Sequence, residues 1–342
     1  MKKLLLSLLL SSPVFGQIII IPQPAVSQSR RGEFLVRPGL SLWSSASCSK
    51  ERVFLQTYWQ EAGLPVLTST PKAKRADVVL VVDTSRQEAL GPEGYELIVS
   101  PRRISIVGAS AAGVFYGLQT LRQMLPKAVG VPIQARQIRD KPRFGQRAFR
   151  FDEGQYLEGI VAIKKLLDEL ALLKFNRFHW HLPTHQGGKS RPPGSFYTPE
   201  QIREISRYAE ARHSTVVTST GLLDFWKGDD KQMLKALNLG QSLVISNKAE
   251  TVLSTPLTNL SLDRVYQFEP IPDQLPEDLR PQILGVGYEY VVQQTSTQPD
   301  LFTQLHPRLA AAAEVAWTFA QNKDVARFKA GLAGFYNGAM LR

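Results

Sequence analysis

Cysteine is almost absent. The 342 residues contain one, Cys48, so no disulfide can form within the chain, and neither a CxxC redox motif nor a thiolate zinc set is available. Cys48 has no histidine nearby in sequence and reads as a packed residue. Acidic residues are the minority charge, 30 against 41 Lys and Arg, giving a formal net charge of +11. The basic residues are spread out, with short clusters at Lys72–Arg75 and Arg136–Arg150. No basic tract is interleaved with aromatics, so the charge suits anionic surroundings but gives no sign of a nucleic-acid partner. Internal repeats and low-complexity tracts are missing. After the first 21 residues there is no long apolar run, which excludes a multi-span membrane protein.

What is present has a globular composition, 43% hydrophobic and 21% charged, on a chain long enough for two domains or one large barrel. Lys2 and Lys3 precede the apolar run Leu4–Leu10, followed by Ser11, Ser12, Pro13 and then Gly16. This is the layout of a secretory signal, too short to span a bilayer, with cleavage expected after Gly16. The competing reading is an uncleaved anchor, because Ile18–Ile21 continues the hydrophobic run. Export to the periplasm or exterior is therefore expected, with no integral span after cleavage.

Residues 17–138 read as a small α+β domain. Ala76–Val82 is a β-branched run, and Gly94–Ser100 and Ile104–Val107 alternate at period two around a turn at Pro101-Arg102-Arg103. Ala111–Leu125 has helical spacing and is stopped by Pro126. Gly108, Gly113 and Gly117 are wrongly spaced for a G-x-G-x-x-G phosphate loop and imply close helix-to-sheet packing instead. From residue 139 to 342 strands and helices alternate: strands at Arg147–Phe151, Asn176–Leu182 and Thr215–Ser219, helices at Leu157–Lys174 and Pro199–Arg212, the latter capped by Thr198. Later strands are expected at Ser242–Ser246 and Ile283–Val286, and a helix at Pro307–Phe319. That rhythm predicts an α/β fold with a parallel sheet or barrel.

Five stretches carry a resemblance. They are Gly94–Val99, Gly108–Leu121, the link Asp140-Lys141-Pro142-Arg143-Phe144, Leu170–Leu182 including Phe178-His179-Trp180-His181, and Pro307–Trp317, and Trp226-Lys227-Gly228 with Ala236–Ser246 is similar to a later segment of the same pattern. In this order they resemble family 20 glycoside hydrolases, the β-N-acetylhexosaminidases, over about Gly91 to Thr318. The resemblance implies a small α+β domain followed by a (β/α)8-type barrel. It also implies substrate-assisted retention, in which the sugar's own acetamide oxygen attacks the anomeric carbon. In that mechanism a glutamic acid protonates the leaving oxygen and an adjacent aspartate orients the acetamide. The pair sits on the fourth barrel strand, after His-x-Gly-Gly.

Measured against that pattern, the departures cluster at the expected active face. Its only Gly-Gly, Gly187-Gly188, follows the second strand and precedes Lys189, and the stretch from Ser219 to Ser242 is too short for a fourth and fifth strand. The barrel is therefore expected to be truncated and open or reduced in strand number, passing from the third strand almost directly to the sixth. The first strand's Asp-x-x-Arg is Asp152-Glu153-Gly154-Gln155, Asp-Asp-Gln is Thr184-His185-Gln186, and Pro-Glu-Ile-Asp is Thr218-Ser219-Thr220-Gly221. The family's Gln, Trp and Glu near the last strand fall at Gly287, Val291 and Gln293. Asp152, Trp180, His181 and Trp226 remain, and with Glu289 they are the candidate vestigial substrate-binding residues. No catalytic residue is assigned, and no cofactor or metal is implied.

Each candidate has a plainer reading. Glu289 stands past an expected strand end, where barrel catalysts lie; a rebuilt acid with Asp152 or Glu153 across the mouth competes with a solvated loop glutamate. His179 and His181 are read as divided between the pocket and the layer behind it, and with His185 they make no evident metal set. Asp229-Asp230 suits a helix start. Trp180 and Trp226 fit core packing or sugar stacking equally well. Three functions follow: an exported, catalytically degenerate hexosaminidase-family protein, an active glycosidase with a rebuilt acid, or a module binding an N-acetylhexosamine-containing glycan or another protein.

Overall fold

The computed structural model describes residues 19–153, 158–182, 197–218, 225–247, 249–292 and 301–338. The first part contains strands β1 (Val26–Phe34), β2 (Ser41–Ser44), β3 (Thr68–Ser69), β4 (Val78–Val82), β5 (Tyr95–Ser100), β6 (Arg103–Gly108) and β7 (Ile133–Asp140), with helices α1 (Ser49–Glu61), α2 (Gln87–Leu90) and α3 (Ala111–Met124). The strands form one mixed sheet in the order β1-β7-β5-β6-β4-β2-β3. β5 and β6 pair antiparallel through the turn after Ser100, as the alternation predicts. Helices α1 and α3 cover one face. Ser110 caps α3 by accepting from Gly113 N, and Gly117 brings that helix onto Ile106 and Tyr95. The three glycines are thus packing residues, and Cys48 is buried with its thiol pKa raised by desolvation. β1 was not legible in advance: it is a polar, exposed edge strand carrying Arg30 and Arg31, charges that discourage pairing with another chain.

The second part contains β8 (Gln146–Asp152), α4 (Gly159–Leu172), β9 (Arg177–His181), α5 (Pro199–Glu210), β10 (Thr215–Thr218), α6 (Asp230–Asn238), β11 (Leu243–Ile245), α7 (Leu262–Gln267), β12 (Ile283–Val291), α8 (Leu301–Leu305), α9 (Arg308–Trp317) and α10 (Val325–Gly338). Thr198 and Asp229 each form a reciprocal capping box at the start of α5 and α6. The strands make a five-stranded, all-parallel sheet in the order β10-β9-β8-β12-β11. Beyond β11 a single bridge, Trp226 to Ile245, begins one further strand position. Among the described residues the sheet does not close: β10 is one edge and the Trp226 bridge the other. This is the truncated barrel that the short Ser219–Ser242 stretch predicts.

Alternation gives the sheet two unlike faces. Toward the helices it presents Phe149 and Phe151 of β8, Phe178 and Trp180 of β9, and Tyr288 and Tyr290 of β12, with Phe151 stacked against both Phe178 and Tyr290. These rings meet α4 residues Ile163, Leu166, Leu167 and Leu170 in one core. Toward the interior the same strands present Ala148, Arg150 and Asp152, then His179 and His181, then Gly285, Gly287 and Glu289.

The two sheets are joined through a buried ionic network. Asp140, at the end of β7, accepts from Lys174 Nζ at 2.9 Å, Tyr95 OH at 2.7 Å, Trp317 Nε1 at 3.0 Å and Ala25 N at 3.0 Å. The Asp140 and Lys174 side chains are both 0% exposed. Next to them Arg147 of β8 is fully buried and binds both oxygens of Glu93, at 2.7 and 3.1 Å, with its guanidinium over Trp317 and Tyr116. Burying charges this deeply is tolerated because every one of them has a partner.

Candidate functional site

In a barrel-type sheet the chemistry belongs at the C-terminal ends of the strands, and there the interior face carries a cluster centred on Glu289. This residue does not lie in a solvated loop. β12 runs five residues past its expected end at Val286, so Glu289 is within the strand and 4% exposed. The alternation Gly287-Tyr288-Glu289-Tyr290 was the available signal: its tyrosines pack outward, which sends the glutamate inward. The backbone is fixed as well, Glu289 N donating to Thr251 O and Leu253 N to Glu289 O.

The carboxylate of Glu289 is held from three sides. Lys227 Nζ lies 2.6 Å from Oε1, Arg150 Nη1 3.8 Å from Oε2, and Ser246 Oγ donates to Oε1 at 3.1 Å. Lys227 reaches it because the Trp226 bridge sets that segment beside β11. Arg150 is shared, its Nη2 donating to Asp152 Oδ2 at 3.4 Å. A general acid needs a proton to give and a free path to the leaving group. Here the carboxylate is paired with Lys227 and lies 3.8 Å from Arg150.

The centre of the face is filled. Phe225 is 9% exposed and packs on Ala148 and Val244, with its ring 4.9 Å from that of His179. It occupies the space over Gly287, where a Cβ would come within 2.8 Å of the Phe225 ring. Sequence reasoning did not single out Phe225. His179, lying between Phe225, Arg177 and Arg150, has its pKa pushed down to about 4, chiefly by burial and then by the two arginines.

Three expectations are corrected. His179 and His181 do not face opposite ways, because residues two apart on a strand share a face; both belong to the interior, with His181 paired to Asp152. Trp180 points to the helices and is fully buried, its Nε1 donating to Glu153 Oε2 at 3.0 Å, so it offers no face to a sugar. Glu153 also turns away from the mouth. It accepts from Tyr197 OH at 2.7 Å and Glu158 N at 2.9 Å, and desolvation raises its pKa. Trp226 is half-buried against the core. Gly154, Gln155, Thr184, His185, Gln186, Gly187, Gly188, Ser219, Thr220, Gly221 and Gln293 lie outside the described residues. Among the described residues no group of three His, Cys, Asp or Glu could hold a metal ion, and no helix is long and apolar enough to cross a membrane.

Comparison with known proteins gives consecutive matches along the chain. Residues 17–141 match "Glycosyl hydrolase family 20, domain 2" and residues 144–191 match "Glycosyl hydrolase family 20, catalytic domain". The second match ends before β10. A beta-hexosaminidase of Porphyromonas gingivalis is 37% identical over 168 residues, 41% of this chain and 21% of that one. One of Vibrio furnissii is 26% identical over 255 residues, 64% of this chain and 39% of that one. The chain thus spans about a fifth to two fifths of these relatives' lengths. The solved structure of a β-N-acetylhexosaminidase from Streptomyces coelicolor superposes with a TM-score of 0.79 at 18% identity, the match covering 94% of this chain and 96% of that one. That of Streptomyces plicatus gives 0.80 at 18% identity, covering 94% and 95%. At such identity the likeness speaks for the fold. Taken with the family matches and the truncated parallel sheet, it shows that the chain belongs to glycosyl hydrolase family 20, in a shortened form.

Proposed function

We propose that this is an exported hexosaminidase-family protein that has lost hydrolysis. The reading divides it into a leader at residues 1–16, an N-terminal unit at 17–138 and a barrel-derived unit at 139–342. The single observation carrying the loss of hydrolysis is the state of the interior face among the described residues: the buried carboxylate of Glu289 is paired with Lys227 at 2.6 Å and lies 3.8 Å from Arg150, and Phe225 fills the centre beside it. The sequence also has no Asp-Glu pair following His-x-Gly-Gly. Asp152, His181 and Trp226 are remnants of sugar recognition on this reading. The relatives' names point to N-acetylhexosamine glycans as the ancestral substrate, and detectable glycan binding is not expected of this chain.

Export rests on the charged, apolar and small-residue order of residues 2–16. The fold adds support, because Ile20 and Ile21 are buried in the cores of the two units and so belong to the folded protein rather than to a membrane anchor. N-terminal sequencing of extracytoplasmic protein should begin at Gln17. For activity, purified protein should show no turnover of an aryl N-acetyl-β-glucosaminide. Loss of a single electrostatic group typically costs about a hundredfold, and here several are missing. Turnover above about 1 s⁻¹, an ordinary enzyme rate, would sink the proposal, and abolition of that turnover by Glu289→Gln would identify a rebuilt acid.

A further inference from the structure

A second concave site lies away from the Glu289 cluster and shares no residue with it. It is a groove of about 410 Å³ between the 19–25 segment, the β1-β7 edge and α10, lined by Gln23, Ser27, Ser29, Arg136, Asn322 and Arg327 among others. None of its lining residues is acidic. Two guanidinium groups from elements far apart in sequence enter it, Arg136 from β7 and Arg327 from α10.

Neither has the close carboxylate partner that Arg147 and Arg143 have. Arg147 binds both oxygens of Glu93, Arg143 pairs with Glu269, and Arg308 donates to four backbone carbonyls. Arg136 donates to Ser27 Oγ at 3.2 Å and forms no ion pair among the described residues. Arg327 donates through Nη2 to Ile20 O at 2.8 Å, but its Nη1 is buried with no hydrogen-bond acceptor. The nearest carboxylate, Glu314 Oε1, is 3.8 Å from that Nη1 and already accepts from Gln23 N at 3.1 Å. Burial lowers the pKa of Arg136, and the charge of Arg327 lowers it further. Two half-buried guanidinium groups facing one groove without an acidic lining residue repel each other, and an oxyanion between them would relieve this with charge-assisted hydrogen bonds. Ser27, Ser29 and Asn322 add uncharged hydrogen-bonding side chains to the lining, the kind of groups that receive hydroxyls. The volume falls in the range of small-molecule sites.

We propose that this groove binds an oxyanion that also carries hydroxyl groups, a sugar phosphate or sugar acid, with Arg136 and Arg327 on the anionic group. The test is calorimetric titration and thermal melting of the full chain with glucose 6-phosphate, glucuronate and inorganic phosphate, with glucose as the neutral control. Saturable binding of at least one sugar anion at millimolar concentration or below is expected, tighter than inorganic phosphate, absent for glucose and weakened by added salt. Whether phosphate or carboxylate binds better names the anionic group. Arg136→Gln, which removes no ion pair among the described residues, should weaken that binding at least tenfold, and Arg327→Gln should do the same if it folds. No saturable response to any anion, or an unchanged affinity in Arg136→Gln, would overturn the proposal. Equal binding of inorganic phosphate and glucose 6-phosphate would overturn its hydroxyl part.

Discussion

The junction between the two sheets and the interior face of the second sheet are both polar, and they are built to different standards. At the junction Asp140 collects four donors, Arg147 grips both oxygens of Glu93, and the cations lie over Trp317 and Tyr116. On the interior face Glu289 draws on an arginine from β8 and a lysine from the segment after the Trp226 bridge, and a phenylalanine fills the space where the strand count falls short. The contrast separates two demands on one ancestral fold. The network that fastens the units gives each of its named charges a close partner, whereas the interior face pairs its buried glutamate with cations from the surroundings and packs a phenylalanine beside it.

The largest expected effect is at the junction. Asp140→Asn leaves Lys174 buried without its counter-charge, and breaking such a pair costs about 3–5 kcal/mol. Urea unfolding of the variant should show this, and a loss below about 1 kcal/mol, well short of that range, would erase the contrast. On the interior face Phe225→Ala should cost about 2–3 kcal/mol, less than the 3–5 of a sealed phenylalanine, because the sheet is open there. Gly287→Ala should cost about 1–3 kcal/mol by overpacking against the Phe225 ring, and most of that cost should vanish in the Phe225→Ala background. Additive losses in the double variant would mean that the two residues do not share a space.

A further effect is one of pH. His179 titrates near 4 in the folded protein against an ordinary 6.5, so between those values the unfolded chain binds more protons. Stability contributed by neutral His179 is therefore present above pH 6.5 and is lost as the pH falls through that window. Unfolding midpoints measured from pH 7 to pH 4 should decline more gently for His179→Phe than for the parent chain. Equal slopes would place the imidazole in a wetter setting than the Phe225 contact implies.

Much of the architecture was legible because local patterns and tertiary placement agree. The β-branched run of β4, the β5-β6 alternation, the Thr198 cap and the proline after α3 each have a local physical cause that survives in the fold. Glu289 was misplaced because Gly285 and Gly287 dilute the strand signal, while the period-two tyrosines that carry it were overlooked. Trp180 matched a motif, but its direction follows from pairing with Phe151, a register that sequence spacing does not give. The Glu289–Lys227 pair and the filling role of Phe225 depend on the Trp226 bridge, a contact that no local pattern encodes. Asp140 and Lys174 are 34 residues apart, and nothing in either neighbourhood announces the other.

The burial of Ile20 and Ile21 also bears on how the molecule assembles. Ile20 O accepts from Arg327 across a sequence separation of 307 residues, so this contact closes a loop covering most of the chain. The length-dependent part of that closure is about 5 kcal/mol of chain entropy, from 3/2 RT ln n. Cores that must recruit a strap from one end and a helix from the other gain their last stabilisation only after nearly all of the polypeptide is available. Chains shortened before α10 lose the Arg327 contact to Ile20 O and should thus hold the strap less firmly, readable in hydrogen exchange as faster exchange of the Ile21 amide, which donates to Gln123 Oε1.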